Sequence, residues 1–358
     1  MEKSNLDKIG VCIVGCGAVA EGHLKAWRKV ADSKVLCVVD LNDSLAKKTA
    51  DNWKITNHFT KLSDALSLNE LNVVDIATPP QVHAPLAIEA MEAGKNVLIE
   101  KPMTMTLKDA QKVVDCYHKS GVKAAVLHNW LFDQPVLAAK AMVKEGRIGK
   151  VFGMEVEALQ TKEDSMASDQ HHWVHSLQGG RFSEMLAHPI YLLREFLGKE
   201  IEVEHIFTSK IGSYPWMKSD EITATFSSNG KIGRAYASFN SPQEIININL
   251  YGEKGIINLD LFNFTVRLRM KRKAARFEKG VDSLVQADQL IKCVAGNSFK
   301  IACNRWLTGH DSYIKFYSDY LLKNDKPPVS IEDGFEVVNL LDKMCENIVA
   351  EENLRAKK

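Results

Sequence analysis

Five short, predominantly apolar stretches punctuate the first third of the chain, at 10–14, 35–39, 73–77, 96–99 and 123–127. Strands without a polar face must be covered on both sides, and a parallel sheet sandwiched between helices does this. Segments 82–93 and 106–120 carry helical spacing and run into Gly94 and Gly121, the residue type that closes a helix without strain. Residues 1–127 are therefore expected to form an α/β domain built on a doubly wound parallel sheet.

After about residue 149 the rhythm changes. Strand-like stretches at 202–211, 221–226, 232–239, 245–251, 256–261 and 264–270 follow one another without intervening helices. Several alternate, as in Ile245 to Leu250, so one face of this sheet is polar. Helical patterns return at 183–197, 282–295, 311–322 and 331–349. The expectation is a second, α+β domain over 128–358, with a large open and mostly antiparallel sheet. A length of 358 residues suits two domains at the usual ~150 residues each.

Charge excludes some partners. The 46 Lys and Arg against 45 Asp and Glu leave +1, so no global field favours nucleic acid or an anionic membrane. The basic run Arg267, Arg269, Lys271, Arg272, Lys273 and Arg276 reads as a solvated face or a subunit contact. No apolar run approaches the ~20 residues of a membrane span, and the first residues lack the apolar core of a secretory signal. Seven cysteines, an odd number set mostly among apolar neighbours, suggest reduced thiols and a cytoplasmic protein.

Three constellations carry chemistry. Gly15, Cys16, Gly17, Ala18, Val19 and Ala20 follow the first strand as G-x-G-x-x-A, a turn that lets backbone approach a pyrophosphate at a helix N-terminus. The second strand ends in Asp40, where a carboxylate accepts the hydroxyls of an adenine ribose. No arginine follows it, which favours NAD over NADP. Glu100, Lys101 and Pro102 stand at the carboxyl end of the 96–99 strand, where open α/β sheets place ligands, and a lysine there can polarise a hydroxyl or carbonyl. The glycine pair Gly179 and Gly180 opens a helix carrying Glu184 and His188 four residues apart, either proton-transfer groups or a solvated pair.

Gly15 to Gly17, Ala77 to Pro80 with His83, Ala93 to Val97, Glu100 to Pro102, His128 with Asn129, and Glu145 to Gly149 together resemble the Gfo/Idh/MocA family of nicotinamide-dependent sugar and cyclitol dehydrogenases. The resemblance implies a Rossmann domain followed by a domain that binds substrate and mediates oligomerisation, with a cleft between them. It also implies a homodimer or homotetramer joined through the sheet's outer face. Lys101 matches the family's catalytic lysine, and His188 matches a histidine that donates or accepts a proton. Thr78 and Pro79 match a segment lining the cofactor, to which His83, Glu100 and Lys101 also belong. Glu184 and Tyr191 stand where the family usually carries aspartates, so the specific sugar is not inherited.

Catalytic candidates are thus Lys101, His188 and Glu184. Candidates for substrate contact are His128, His172, Trp173, His175 and Tyr191. His171 and His175 have the i,i+4 spacing of metal ligands on a helix, but hydride transfer needs no metal and none is expected. The expected activity is NAD-dependent oxidation of a secondary alcohol in a carbohydrate-like small molecule. Its rivals are a redox-cycling glycosidase or epimerase that reduces NAD transiently, and a non-catalytic dinucleotide sensor.

Overall fold

The computed structural model describes residues 8–271, 276–323 and 325–357. The chain divides into two compact units, one formed by Met1–Phe132 with Leu307–Asn339 and the other by Asp133–Trp306 with Leu340–Lys358. Sequence places the boundary at 127/128 and assigns everything beyond to the second domain. The structure instead returns 307–339 to the first unit. Packing accounts for the return. The Gly309–Lys323 helix lies on the Ala20–Arg28 helix, where Trp27 and Tyr317 meet edge to face at 6.3 Å. Tyr313, completely buried, donates its hydroxyl to the Val126 carbonyl at 2.6 Å.

The first unit holds six strands: β1 (Ile9–Val14), β2 (Ser33–Val39), β3 (Asn57–Phe59), β4 (Val73–Ile76), β5 (Asn96–Glu100) and β6 (Ala124–Leu127). All pair in parallel, in the order β3-β2-β1-β4-β5-β6. Every residue of β1, β4 and β6 is buried, which is why their sequences show no alternation. Asn42 and Thr106 cap the Asp43–Trp53 and Leu107–Ser120 helices by accepting from the Leu45 and Asp109 amides. The strand order reverses between β1 and β4, opening a crevice at their carboxyl ends.

The second unit holds β7 (Val151–Thr161), β8 (Glu202–Ser209), β9 (Glu221–Ser228), β10 (Lys231–Ser241), β11 (Ile245–Gly252), β12 (Gly255–Asp260) and β13 (Thr265–Met270). Their order is β13-β12-β11-β7-β10-β9-β8, antiparallel except where β7 and β10 pair in parallel. The Ala187–Leu197 helix packs on β7 and β10. In the basic run, Arg269 pairs with Asp282 at 3.4 Å, while Arg272, Lys273 and the Arg276 side chain lie outside the described residues. No helix among the described residues is long and apolar enough to cross a membrane.

Candidate active site

The turn after β1 is shaped by its glycines. Gly15 has φ +98°, and a Cβ there would lie 2.6 Å from the Ala77 carbonyl at the end of β4. At Gly17 a Cβ would meet nothing within 4 Å, so the turn faces open space. Asp40 fastens this turn to the end of β2: its Oδ2 accepts from the Cys16 amide and its Oδ1 from the Asn42 amide, both at 2.9 Å. Each carboxylate oxygen has two lone pairs, so acceptor capacity remains for ligand hydroxyls.

A cavity of about 590 Å³ opens over the turn, lined among others by Gly15, Gly17, Asp40, Thr78 and Pro79. The Thr78 hydroxyl is shut off from solvent and has no hydrogen-bond partner among the described residues. A buried orphan of this kind calls for a polar ligand group. Glycine turn, anchored carboxylate and orphan hydroxyl together fit a dinucleotide. Ala18 and Val19 stand at the exposed entry to the Ala20–Arg28 helix and do not join the lining. Sequence reasoning missed Leu41, Leu62 and Ser63 in the lining. Leu41 is 92% exposed, which leaves its side chain open to a ligand in the cavity, and that exposure is invisible in the sequence.

Lys101 follows β5 directly and is half-buried; its bond to Pro102 is cis. Glu100, expected to touch the cofactor, is spent below instead. Its Oε2 accepts from the Lys101 amide at 2.7 Å, and its Oε1 accepts from His23 Nε2 at 3.2 Å. The other nitrogen of His23 donates to Asp75 at 2.9–3.0 Å, and Asp75 also accepts from the Trp27 indole at 2.7 Å. Burial opposes a charge on His23, yet the Asp75 carboxylate and then Glu100 outweigh it and push its pKa up to about 10. Burial likewise opposes the Glu100 charge, but His23 and the neighbouring His310 hold its carboxyl well below the usual range.

His23, Glu100 and His310 bring possible metal-ligand atoms within 4.8 Å of one another. Both ring nitrogens of His23 already face carboxylate oxygens, Asp75 at 2.9–3.0 Å and Glu100 at 3.2 Å, an arrangement that suits a buried ion pair. His83 is also withdrawn from the cofactor. It is fully buried between the carbonyls of Thr78, 2.8 Å from Nε2, and Pro102, 3.0 Å from Nδ1, and burial lowers its pKa. It braces the Thr78 segment against the Lys101 segment. His128, at the end of β6, is 2% exposed.

In the second unit, the helix expected over 183–197 is broken into Arg181–Met185 and Ala187–Leu197. Pro189 explains the break, because it has no N–H to offer the carbonyl of Met185. Glu184 pairs with Arg181, which also reaches Asp164 at 3.2 Å. His188 is 8% exposed, with Nδ1 2.6 Å from the Tyr191 hydroxyl. Tyr191, expected at the substrate, is 2% exposed and orients His188 instead.

His175 lies in a 3₁₀ turn, Trp173–Ser176, and His171 in the turn before it, so no α-helix aligns the two as i,i+4 metal ligands. His172 caps this turn through the Val174 amide at 3.4 Å, and Trp173 lies beside the His172 ring. His175 lines a cavity of about 160 Å³ with Arg181 and Trp216, and its shielded Nε2 makes no hydrogen bond among the described residues.

A parallel sheet with a glycine turn at its switch point, a carboxylate after the second strand and a lysine after the fifth is the arrangement of an NAD-binding oxidoreductase. The NAD-binding Rossmann domain of the GFO/IDH/MocA oxidoreductases matches residues 9–128, and the C-terminal domain of the same family matches 136–258. The chain belongs to this family. It is 26% identical over 340 residues to oxidoreductase P35 of Formosa agariphila, covering 93% of this chain and 97% of that one. Levoglucosan dehydrogenase of Pseudarthrobacter phenanthrenivorans is 25% identical over 220 residues, covering 59% of this chain and 56% of that protein. In fold the chain resembles the WlbA dehydrogenase of Bordetella pertussis, solved with NADH and UDP-GlcNAcA. That likeness has TM-score 0.77 at 19% identity, over 96% of both chains.

Proposed function

We propose that this NAD-dependent dehydrogenase oxidises or forms a secondary alcohol of a sugar, sugar derivative or cyclitol. The observation that carries the reading is the row of groups along one sheet edge. Asp40, the glycine turn and Thr78 stand at the carboxyl ends of β2, β1 and β4, and Lys101 ends the next strand, β5. From β2 to β5 is three strand spacings, about 14 Å, the scale of a dinucleotide. Bound NAD supplies the hydride acceptor.

Lys101 offers its ammonium to the substrate oxygen, stabilising negative charge as it develops. His188, held through Nδ1 by the Tyr191 hydroxyl at 2.6 Å, takes the hydroxyl proton. The name levoglucosan dehydrogenase among the relatives supports a carbohydrate substrate. The oligomer expected from the resemblance, dimer or tetramer, belongs to the same proposal, as does a cytoplasmic location.

Incubating the protein with NAD and a panel of sugars, glycosides, uronic acids and inositols tests this. The expected result is NADH accumulating with a product two hydrogens lighter than its substrate. Product without NADH replaces the reading with a redox-cycling enzyme, and no product with NAD bound replaces it with a sensor.

A further inference from the structure

The Arg276–Ala302 helix lies along β13, the edge strand of the second sheet. Its inner face satisfies the strand's unpaired backbone. Gln289 accepts from the Leu268 amide at 2.7 Å, Gln286 and Gln289 both donate to the Leu268 carbonyl, and Asn297 donates to the Phe264 carbonyl at 2.9 Å. An edge sealed this way cannot recruit another strand. The helix therefore has a fixed orientation, with another face turned outward.

That outer face is apolar. Leu284, Ile291, Val294 and Ile301 are 72%, 67%, 53% and 62% exposed, and Leu290 beside them is 41% exposed. With Ala287 and Ser298 they follow the 3–4 spacing of a helix-pairing seam, and the seam carries no charge. An exposed stripe this continuous marks an interaction site.

The order of residues names the occupant. Set antiparallel to itself, the stripe places Leu284 against Ile301, Ala287 against Ser298, and Ile291 against Val294, so large meets large and small meets small. Five aliphatic residues at these exposures leave roughly 500 Å² per chain, and two helices bury about 1,000 Å², the size at which specific association begins. We infer that the Arg276–Ala302 helix is a two-fold interface, pairing antiparallel with the same helix of a second copy of this chain. Each contact then occurs twice, as a closed two-fold requires.

Sedimentation velocity on the full chain tests the interface. Ile291→Glu with Val294→Glu is expected to halve the particle mass while leaving far-UV dichroism and NAD affinity as in the parent. An unchanged mass, or a parent that is monomeric at micromolar concentration, overturns the inference. Should the double glutamate variant misfold, cysteine pairs decide in a Cys303→Ser background. Ala287→Cys with Ser298→Cys is expected to form covalent dimers on oxidation, and Ala287→Cys alone is not. Equal cross-linking by the single variant means parallel pairing and overturns the inference, as does no cross-linking by the pair.

Discussion

Replacing Lys101 by Ala is expected to lower turnover by roughly 10²- to 10⁴-fold, the range typical of a lost proton-handling or charge-stabilising group. NAD affinity should move little. Lys101 stands beyond β5, whereas the groups proposed to hold the dinucleotide line the cavity over the turn: Gly15, Gly17, Asp40 after β2 and Thr78 after β4. Steady-state kinetics with a fluorescence titration of NADH separates the two effects. A fall in kcat at nearly constant Kd assigns Lys101 to the reacting centre. Equal losses in both make it a cofactor anchor and remove it from the chemistry.

The second large effect concerns stability. His23 and Asp75 have no solvent exposure, and the His23 ring bridges Asp75 and Glu100. Removing one member of a buried ion pair strands the others, at about 3–5 kcal/mol. His23→Ala is expected to lose that much in urea unfolding at pH 6. The sign of the pH dependence follows from the raised pKa. A histidine whose folded value is about 10 contributes its full stabilisation below its unfolded value of ~6.5 and loses it as pH climbs toward 10. The stability gap between parent and variant should therefore shrink between pH 7 and 10. A gap that is flat across that window shows a packing role for His23 rather than an imidazolium. Because Glu100 holds the Lys101 amide, the same variant is also expected to loosen Lys101.

The sequence announces some of this and conceals the rest, for physical reasons. Buried parallel strands are mostly apolar on both faces, so β1, β2, β4, β5 and β6 can be read directly despite polar residues such as Asp75. β3 is three half-buried residues and gives no such signal, and the glutamates of β7 disguise a strand at the middle of its sheet. The return of 307–339 to the first unit depends on contacts such as Tyr313 with Val126, which local periodicity does not encode. At the site, residue type is legible and partners are not. Glu100, His83 and Tyr191 look like ligand contacts by chemistry, but each is committed to a neighbour. His23 escaped notice although it had a signal: it shares the apolar face of its helix with Ala20, Leu24 and Trp27, where a histidine needs a buried partner.

The central claim is hydride transfer from a carbon of the substrate to bound NAD. Its most direct test is to supply the substrate found in the panel with deuterium on the oxidised carbon and weigh the NADH and the product. Deuterium recovered in NADH and absent from the product is the result this account predicts. Deuterium retained in the product, with NAD unchanged at the end of the reaction, contradicts net dehydrogenation.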